Sequence, residues 1–364
     1  MGAGVAPHRG GLHRELRLEH RPLPRLRRVA TVRLARGLRG DPAFRSGISD
    51  RLSPLRIVFF GSSDFASPSL TALKAGGCSP ELVVTKPDAP RGRGRKIYDS
   101  EVKLAAQELG LTCAQPADVH GEEFLDQLKK LKPDLGIVVS YGVILKPELI
   151  ALPKHGMINA HASLLPLYRG AAPIQRAIRD GQSETGITIM RIVEALDAGD
   201  VLLAKSTKID PRENAGMLRD RLAELSGAAL LEAITMIDKG KAKYTPQDPQ
   251  KATYAPKVEK EHGVINWKLP AKEIDLLVRA MTPKPGAQTR LGSKRFIVME
   301  GTVEQDLYGM GIPGGLQSSG EEGIRVCTGK DIYRITRIKP DNGRNMTAGE
   351  FVRGHHIAPD ARFG

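Results

Sequence analysis

Apolar and polar positions follow an alternating strand and helix pattern from residue 55 onwards. Short apolar runs at 55–60, 81–85 and 135–139 predict strands, and helical spacing predicts helices between them, such as 122–131. The run at 135–139 is apolar at nearly every position, which is typical of a strand covered on both faces. The pattern therefore predicts a doubly wound, mostly parallel α/β sheet of the Rossmann-like kind.

This alternation continues to residue 238 and then stops. Residues 186–193 and 201–209 predict two more strands, and a long helix is expected at 213–238. A charged, proline-containing segment follows, which predicts a linker. We therefore divide the chain into four regions: 1–53, an extension; 54–240, the α/β domain; 241–259, the linker; and 260–364, a second domain.

The second domain has a different pattern. Helical spacing predicts one helix at 272–281, and the remaining apolar runs are short and β-like. Thr347 and Glu350 stand three residues apart, as in a capping box, which predicts a last short helix. Several short strands in about 100 residues are typical of a small β-barrel.

The first 53 residues hold 12 Arg, no Lys and 4 acidic residues, and thus more than half of the net charge of +14. They show no sustained periodicity, so we expect disorder. Three interpretations stay open: a start assigned too far upstream, a basic arm that contacts RNA, and an organellar transit peptide, against which Glu15, Glu19 and Asp41 argue. A basic flank beside a nearly neutral domain favours a phosphate-bearing partner.

Several classes of protein and site are disfavoured. No apolar run approaches the roughly 18 residues of a membrane helix. Three distant cysteines, an odd number, favour a reducing compartment and core roles. The histidines show no metal-ligand spacing with Cys or Asp, so no metal site is expected. The turn at 60–64 lacks the GxGxxG fingerprint, which disfavours a nicotinamide cofactor.

The segment 157–166 carries the first candidate chemistry. In extended backbone, Asn159 and His161 lie two residues apart and share a face, at the kind of strand end where open α/β sheets place their sites. An amide can stabilise an oxyanion, and an imidazole can transfer a proton between amines. Taken alone, both residues are better explained as local hydrogen-bonding groups near a turn than as catalysts.

Residues 196–200, here called the acid turn, carry the second candidate. Asp197 lies between two predicted strands, and a carboxylate beside an imidazole fixes its tautomer and favours its charged form. An ordinary turn also favours Asp and Gly. Spacing alone favours the ordinary turn.

Three segments together, 159–166, 168–175 and the acid turn, resemble the methionyl-tRNA formyltransferase family, and the resemblance extends over residues 55–364. It implies a catalytic trio of Asn159, His161 and Asp197. It also implies a folate-binding segment, formed by Ser163, Leu164, Leu165 and Pro166. The family more often has Gly at the position of Ala162 and Thr at that of Ala198. The first change matters if the backbone there needs a positive φ.

Residues 87–96, here called the basic loop, bear on which amine is formylated. The loop has Arg and Gly residues suited to close approach to a phosphate backbone, and it lacks the GK[ST] ending of a nucleotide-binding loop. It resembles the family loop that enters the tRNA acceptor arm. The resemblance therefore implies tRNA contacts from Arg91, Arg93, Arg95 and Lys96; a solvated charged loop is the other interpretation.

The second domain resembles the family's OB-like barrel, which contacts tRNA. The resemblance implies 10-formyltetrahydrofolate as formyl donor, initiator methionyl-tRNA as acceptor, no metal and no membrane association. We expect a monomer in the cytoplasm, with the organelle matrix as the less favoured location. Two alternatives stay open: a folate-dependent enzyme acting on an amino-sugar nucleotide, and an inactive RNA-binding relative.

Overall fold

The computed structural model describes Met1 and residues 55–91, 96–306, 311–355 and 357–364. From residue 55 onwards the described residues belong to one unit. The extension 1–53, apart from Met1, lies outside the described residues, as do the tip of the basic loop and residues 307–310.

The first part of the described chain forms a seven-stranded sheet with a separate two-stranded hairpin. In chain order the strands are β1 Ile57–Gly61, β2 Leu82–Val84, β3 Ala89–Arg91, β4 Lys96–Tyr98, β5 Cys113–Ala114, β6 Leu135–Val139, β7 Met157–His161, β8 Glu184–Arg191 and β9 Val201–Lys208. The large sheet has the order β5-β2-β1-β6-β7-β8-β9, and β3 pairs with β4. Pairing is parallel from β5 to β7, whereas β8 and β9 are antiparallel to their neighbours. The predicted, mostly parallel sheet is therefore confirmed.

Helices cover both faces of this sheet. They are α1 Ser67–Ala75, α2 Glu101–Glu108, α3 Glu122–Leu131, α4 Pro147–Ile150, α5 Pro173–Arg179 and α6 Ala215–Asp238. Strand β1 shows the two-sided burial directly, because Ile57 and Phe59 pack in one apolar cluster and Val58 and Phe60 in another. All five residues of β6 are buried as well. Continuous apolar character predicted this environment correctly.

The second part of the chain forms an antiparallel sheet. Its elements are α7 Ala271–Met281, β10 Ala287–Leu291, β11 Lys294–Glu304, β12 Leu316–Gly320, β13 Gly323–Cys327, β14 Ile332–Pro340, β15 Met346–Thr347 and α8 Ala348–Gly354. The strand order is β10-β11-β14-β13-β12, and β15 pairs with β14. The C-terminal residues Arg362 and Phe363 bridge to Gly315 and Leu291, at the two edges of the sheet. The predicted capping box at α8 is confirmed.

The segment predicted as a linker packs against the α/β domain. Tyr254 and Thr245 form isolated bridges with Arg169 and Val201, and Ala255 is fully buried. Residues 245–255 therefore lie against the loops at the carboxyl edge of the large sheet, where the candidate site is found. In the part of the chain that the structure describes, no helix combines the length and apolar character needed to cross a membrane.

Candidate functional site

A cavity of about 700 Å³ lies at the carboxyl ends of β1, β6 and β7. Its lining residues are 63–65, 138, 140–145, 159–162, 170–171, 173–175, 190–199 and 219. This is the edge at which open α/β sheets place ligands, because loops diverge there from strands that run side by side. Ser63 and Ser140, which follow β1 and β6, are joined by a hydrogen bond of 2.8 Å that holds the two loops together.

Strand β7 brings Asn159 and His161 to the same cavity, as their spacing predicted. Both line it, and Asn159 is half-buried between Val138 on β6 and Met190 on β8. Among the described residues, no group forms a hydrogen bond with the Asn159 amide. An amide in the cavity wall with unused donors is available to a ligand.

His161 lies between two acceptors. Its Nε2 is 2.9 Å from the carbonyl oxygen of Tyr168, and its Nδ1 is 3.6 Å from Oδ2 of Asp197. The second distance is long for a hydrogen bond but short enough for a charge interaction. The two side chains are only 7% and 11% exposed, so water screens this interaction little. A doubly protonated ring would have an acceptor facing each N–H.

The acid turn holds Asp197 in a defined position. Its backbone has φ of 49°, a left-handed conformation that Asp tolerates better than most residues. The backbone N–H of Gly170 donates to Asp197 Oδ2 at 2.8 Å. Gly199 allows the turn to pack against the end of β8, because a Cβ at this position would lie 1.8 Å from the carbonyl oxygen of Arg191. The structure thus brings together all three residues of the predicted trio.

The predicted folate-binding segment lies next to the cavity without lining it. Ser163 is fully buried, and its Oγ donates to the carbonyl oxygen of Leu167 at 2.6 Å. Thr188 Oγ1 donates to the carbonyl oxygen of Ser163 and accepts from the N–H of Leu165, at 2.7 and 3.1 Å. Ser163, Leu164, Leu165 and Pro166 are absent from the cavity lining. These contacts stabilise the chain that leaves β7, and folate contact by the segment stays a prediction.

The basic loop is described only at its base. Arg91 and Lys96 pair in register across the β3–β4 hairpin, whereas Arg93 and Arg95 lie outside the described residues. Lys103 Nζ is 2.5 Å from a carboxylate oxygen of Asp88 and 2.7 Å from one of Asp99. The contact with Lys103 lowers the pKa of Asp88, and the two carboxylates, Asp88 first, raise the pKa of Lys103 to about 12. The loop is therefore anchored where it leaves the sheet.

Apolar residues around the cavity were missed in the sequence. Val143 and Ile144 follow β6, Val193 and Leu196 follow β8, and all four expose large apolar side chains at the cavity. Buried Tyr141 also lines it, and burial raises the pKa of its hydroxyl to about 12. Their position in the sequence could have indicated them, because residues that follow a buried parallel strand lie at the ligand-binding edge of the sheet.

Two further expectations concern Ala162, where the chain departs from the family pattern, and the three cysteines. The backbone of Ala162 does not have a positive φ, so the methyl group at this position causes no backbone strain. Cys78, Cys113 and Cys327 are free thiols, and burial raises the pKa of each. This setting suits core packing better than nucleophilic chemistry. Among the described residues, no group of three or more His, Cys, Asp or Glu side chains is arranged to hold a metal ion.

Two family models match the chain. The formyl transferase model matches residues 55–234, and the formyl transferase C-terminal domain model matches residues 257–356. Methionyl-tRNA formyltransferase from Heliobacterium modesticaldum is 42% identical over 318 residues, covering 85% of this chain and 100% of that protein. The enzyme of the same name from Moorella thermoacetica is 40% identical over 310 residues, covering 85% and 99%.

Solved structures share the fold at lower identity. The N-formyltransferase from Helicobacter canadensis, in complex with folinic acid and dTDP-3-aminofucose, has a TM-score of 0.59 at 18% identity, over 77% of this chain and 99% of that one. HypX from Aquifex aeolicus, in complex with tetrahydrofolic acid, has a TM-score of 0.57 at 21% identity, over 82% and 47%. With both family models matched and about 40% identity over most of its length to its curated relatives, the chain belongs to the methionyl-tRNA formyltransferase family.

Proposed function

We propose that this protein transfers the formyl group of 10-formyltetrahydrofolate to the free α-amine of methionyl-tRNA. The observation that carries the proposal is the meeting of Asn159, His161 and Asp197 in one cavity of about 700 Å³. An amide donor, an imidazole and a carboxylate are groups suited to an acyl transfer between two amines.

The reaction exchanges one carbon–nitrogen bond for another. The methionyl nitrogen attacks the formyl carbon, the bond from that carbon to N10 of the folate breaks, and a proton moves from the attacking nitrogen to N10. Negative charge develops on the formyl oxygen meanwhile. Asn159 is the proposed donor to that oxygen, since its amide lines the cavity and has no partner among the described residues.

His161 is the proposed proton carrier, and Asp197 its positioning partner. The Tyr168 carbonyl oxygen fixes the ring at Nε2, and the carboxylate faces Nδ1 at 3.6 Å. A carboxylate at this distance stabilises positive charge on the ring while a proton is held there. The Gly170 N–H keeps the carboxylate in place at 2.8 Å.

The donor and acceptor are proposed to use different parts of the site. The exposed apolar residues Ile144 and Leu196 are suited to contact with the ring faces of a folate. The segment that follows β7 is proposed to contribute to the folate site through Ser163, Leu164, Leu165 and Pro166. The basic loop is proposed to contact tRNA phosphates through Arg91, Arg93, Arg95 and Lys96.

A parallel acceptor assay tests this function. Purified protein and 10-formyltetrahydrofolate are incubated separately with charged initiator tRNA, charged elongator tRNA and an amino-sugar nucleotide, and formylated product is measured. We expect formylation of charged initiator tRNA. Formylation of the sugar alone would overturn the proposed acceptor, and absence of any product would support the interpretation as an inactive RNA-binding relative.

A further inference from the structure

Gln247 joins the segment between the two domains to the acid turn. Its Nε2 donates to the carbonyl oxygens of Asp197 and Gly199, at 2.9 and 2.7 Å. Its Oε1 accepts from Nε and Nη2 of Arg169, at 3.1 and 2.7 Å. One side-chain amide therefore makes four hydrogen bonds with Arg169 and the acid turn, and its Nε2 also donates to Sδ of Met190, a cavity-lining residue, at 3.9 Å.

Arg169 lies between two residues that hold the trio. Tyr168 accepts from His161 through its carbonyl oxygen, and Gly170 donates to the Asp197 carboxylate. The Arg169 side chain is buried, at 6% exposure, and its backbone pairs with Thr253 and Ala255. The residue between these two supporting residues is thus fixed by the same segment that contains Gln247.

The acid turn needs such support because its conformation is unusual. Asp197 adopts a left-handed backbone with φ of 49°. In the described part of the chain, no other hydrogen bond reaches the carbonyl oxygens of Asp197 and Gly199. Without Gln247 both carbonyl groups would lose their protein partner, and the turn would be freer to rotate the carboxylate away from His161.

We propose that Gln247 is a positioning residue for formyl transfer, which keeps Asp197 facing His161 by bridging Arg169 to the acid turn. This rests on the proposed function only for its catalytic consequence. Its structural consequence, a changed environment of the His161 ring, can be measured in the absence of any substrate.

The sharpest variant is Gln247→Glu. A carboxylate has the size of the amide and still accepts from Arg169, but it cannot donate, and it repels the two carbonyl oxygens. Gln250→Glu is the matched control, because it introduces the same charge three residues away on an exposed side chain. Gln247→Met gives a second variant that removes all four bonds without adding charge.

We expect kcat for formylation of charged initiator tRNA to fall by about 100-fold in Gln247→Glu, because small displacements of catalytic groups have effects of that size. The KM for tRNA of Gln247→Glu should stay within about twofold of wild type, because the Gln247 side chain does not line the cavity. The activity of Gln250→Glu should also stay within about twofold of wild type, because Gln250 is exposed and lies outside the cavity lining. The pH profile of kcat should change in the same direction as in Asp197→Asn. Equal activity in Gln247→Glu and Gln250→Glu, or a loss of thermal stability with unchanged kcat, would overturn the proposal.

Two further measurements separate the possible failures. When combined with Asp197→Asn, Gln247→Glu should add little further loss, because both act on the same carboxylate; independent, multiplying losses would overturn the proposal. Histidine ¹⁵N resonances, with His161 assigned from a His161→Gln variant, should shift in Gln247→Glu and not in Gln250→Glu. If wild type formylates no tRNA but this shift is observed, the proposed function fails and the positioning role stands; if wild type is active and the shift is absent, the positioning role fails.

Discussion

The acid turn and the basic loop both follow strands of the large sheet, and each has an aspartate at its base, but the two carboxylates have opposite surroundings. Asp197 faces an imidazole at 3.6 Å in a cavity wall. Asp88 accepts from Lys103 at 2.5 Å and from Gln115 at 2.7 Å. The first carboxylate has a partner that can gain and lose a proton, whereas the second is neutralised by a permanent cation. The residue type alone therefore does not indicate the role of these two aspartates, whereas the group that each carboxylate contacts does.

The largest expected effect separates these two aspartates. Asp197→Asn should lower kcat for formyl transfer by about 100-fold or more, because it removes the charge that supports a protonated His161. Asp88→Asn, the matched control, removes an ion pair outside the cavity and should change kcat by less than about twofold. Steady-state rates with charged initiator tRNA measure both. Comparable losses of kcat in the two variants would contradict the different roles given to Asp197 and Asp88.

A smaller effect is expected from the basic loop. Replacing Arg91, Arg93, Arg95 and Lys96 by Ala should raise the KM for tRNA about tenfold and flatten its dependence on salt, because fewer counterions are released on binding. Folate affinity should stay unchanged. The control replaces Lys129 and Lys130, which are exposed on α3. If the control weakens tRNA use as much, the loop has no special role and only the net charge matters.

The smallest effect concerns the opposite edge of the sheet. The Arg56 guanidinium and backbone N–H both donate to Asp134, and these contacts lower the pKa of its carboxyl group below 3.8. A lowered pKa stabilises the folded state above pH 3.8, and this contribution is lost as pH falls through the folded value. Asp134→Asn should therefore lower the melting temperature at pH 7 by no more than about 3 °C, with kcat unchanged.

Thermal melts of wild type and Asp134→Asn over a range of pH check the sign of this effect. The difference in melting temperature should shrink as pH falls below 3.8, the ordinary pKa of the carboxyl group. A difference that grows towards acid pH would contradict the assignment of the lowered pKa to Asp134.

Much of the fold could be predicted from local pattern. Strand β6 is buried on both faces because its residues are apolar without interruption, and the cap of α8 is formed by the two residues whose spacing indicated it. The β3–β4 hairpin was missed, since Gly, Pro and Arg in the basic loop give no alternation.

The candidate site was predictable only in part. Asn159 and His161 share a strand, so their common face follows from the two-residue repeat. Asp197 lies close to them because β8, which precedes the acid turn, pairs antiparallel with β7. The sequence does not specify this pairing. Arg169 stood within one of the segments that carry the family resemblance but had no role of its own there. Gln247 gave no signal, because a glutamine in a charged, proline-containing segment looks like a surface residue. Its role depends on where that segment packs.

The account's central claim is that formyl transfer occurs at the cavity formed by β7 and the acid turn. The most direct test is the single-turnover rate of formylation of charged initiator tRNA by Asn159→Ala, with 10-formyltetrahydrofolate saturating. The account predicts a rate about 100- to 1,000-fold below that of wild type, as expected for loss of an oxyanion donor, with unchanged folding and folate affinity. A similar loss should follow from His161→Ala. Near-normal rates in either variant would contradict the claim.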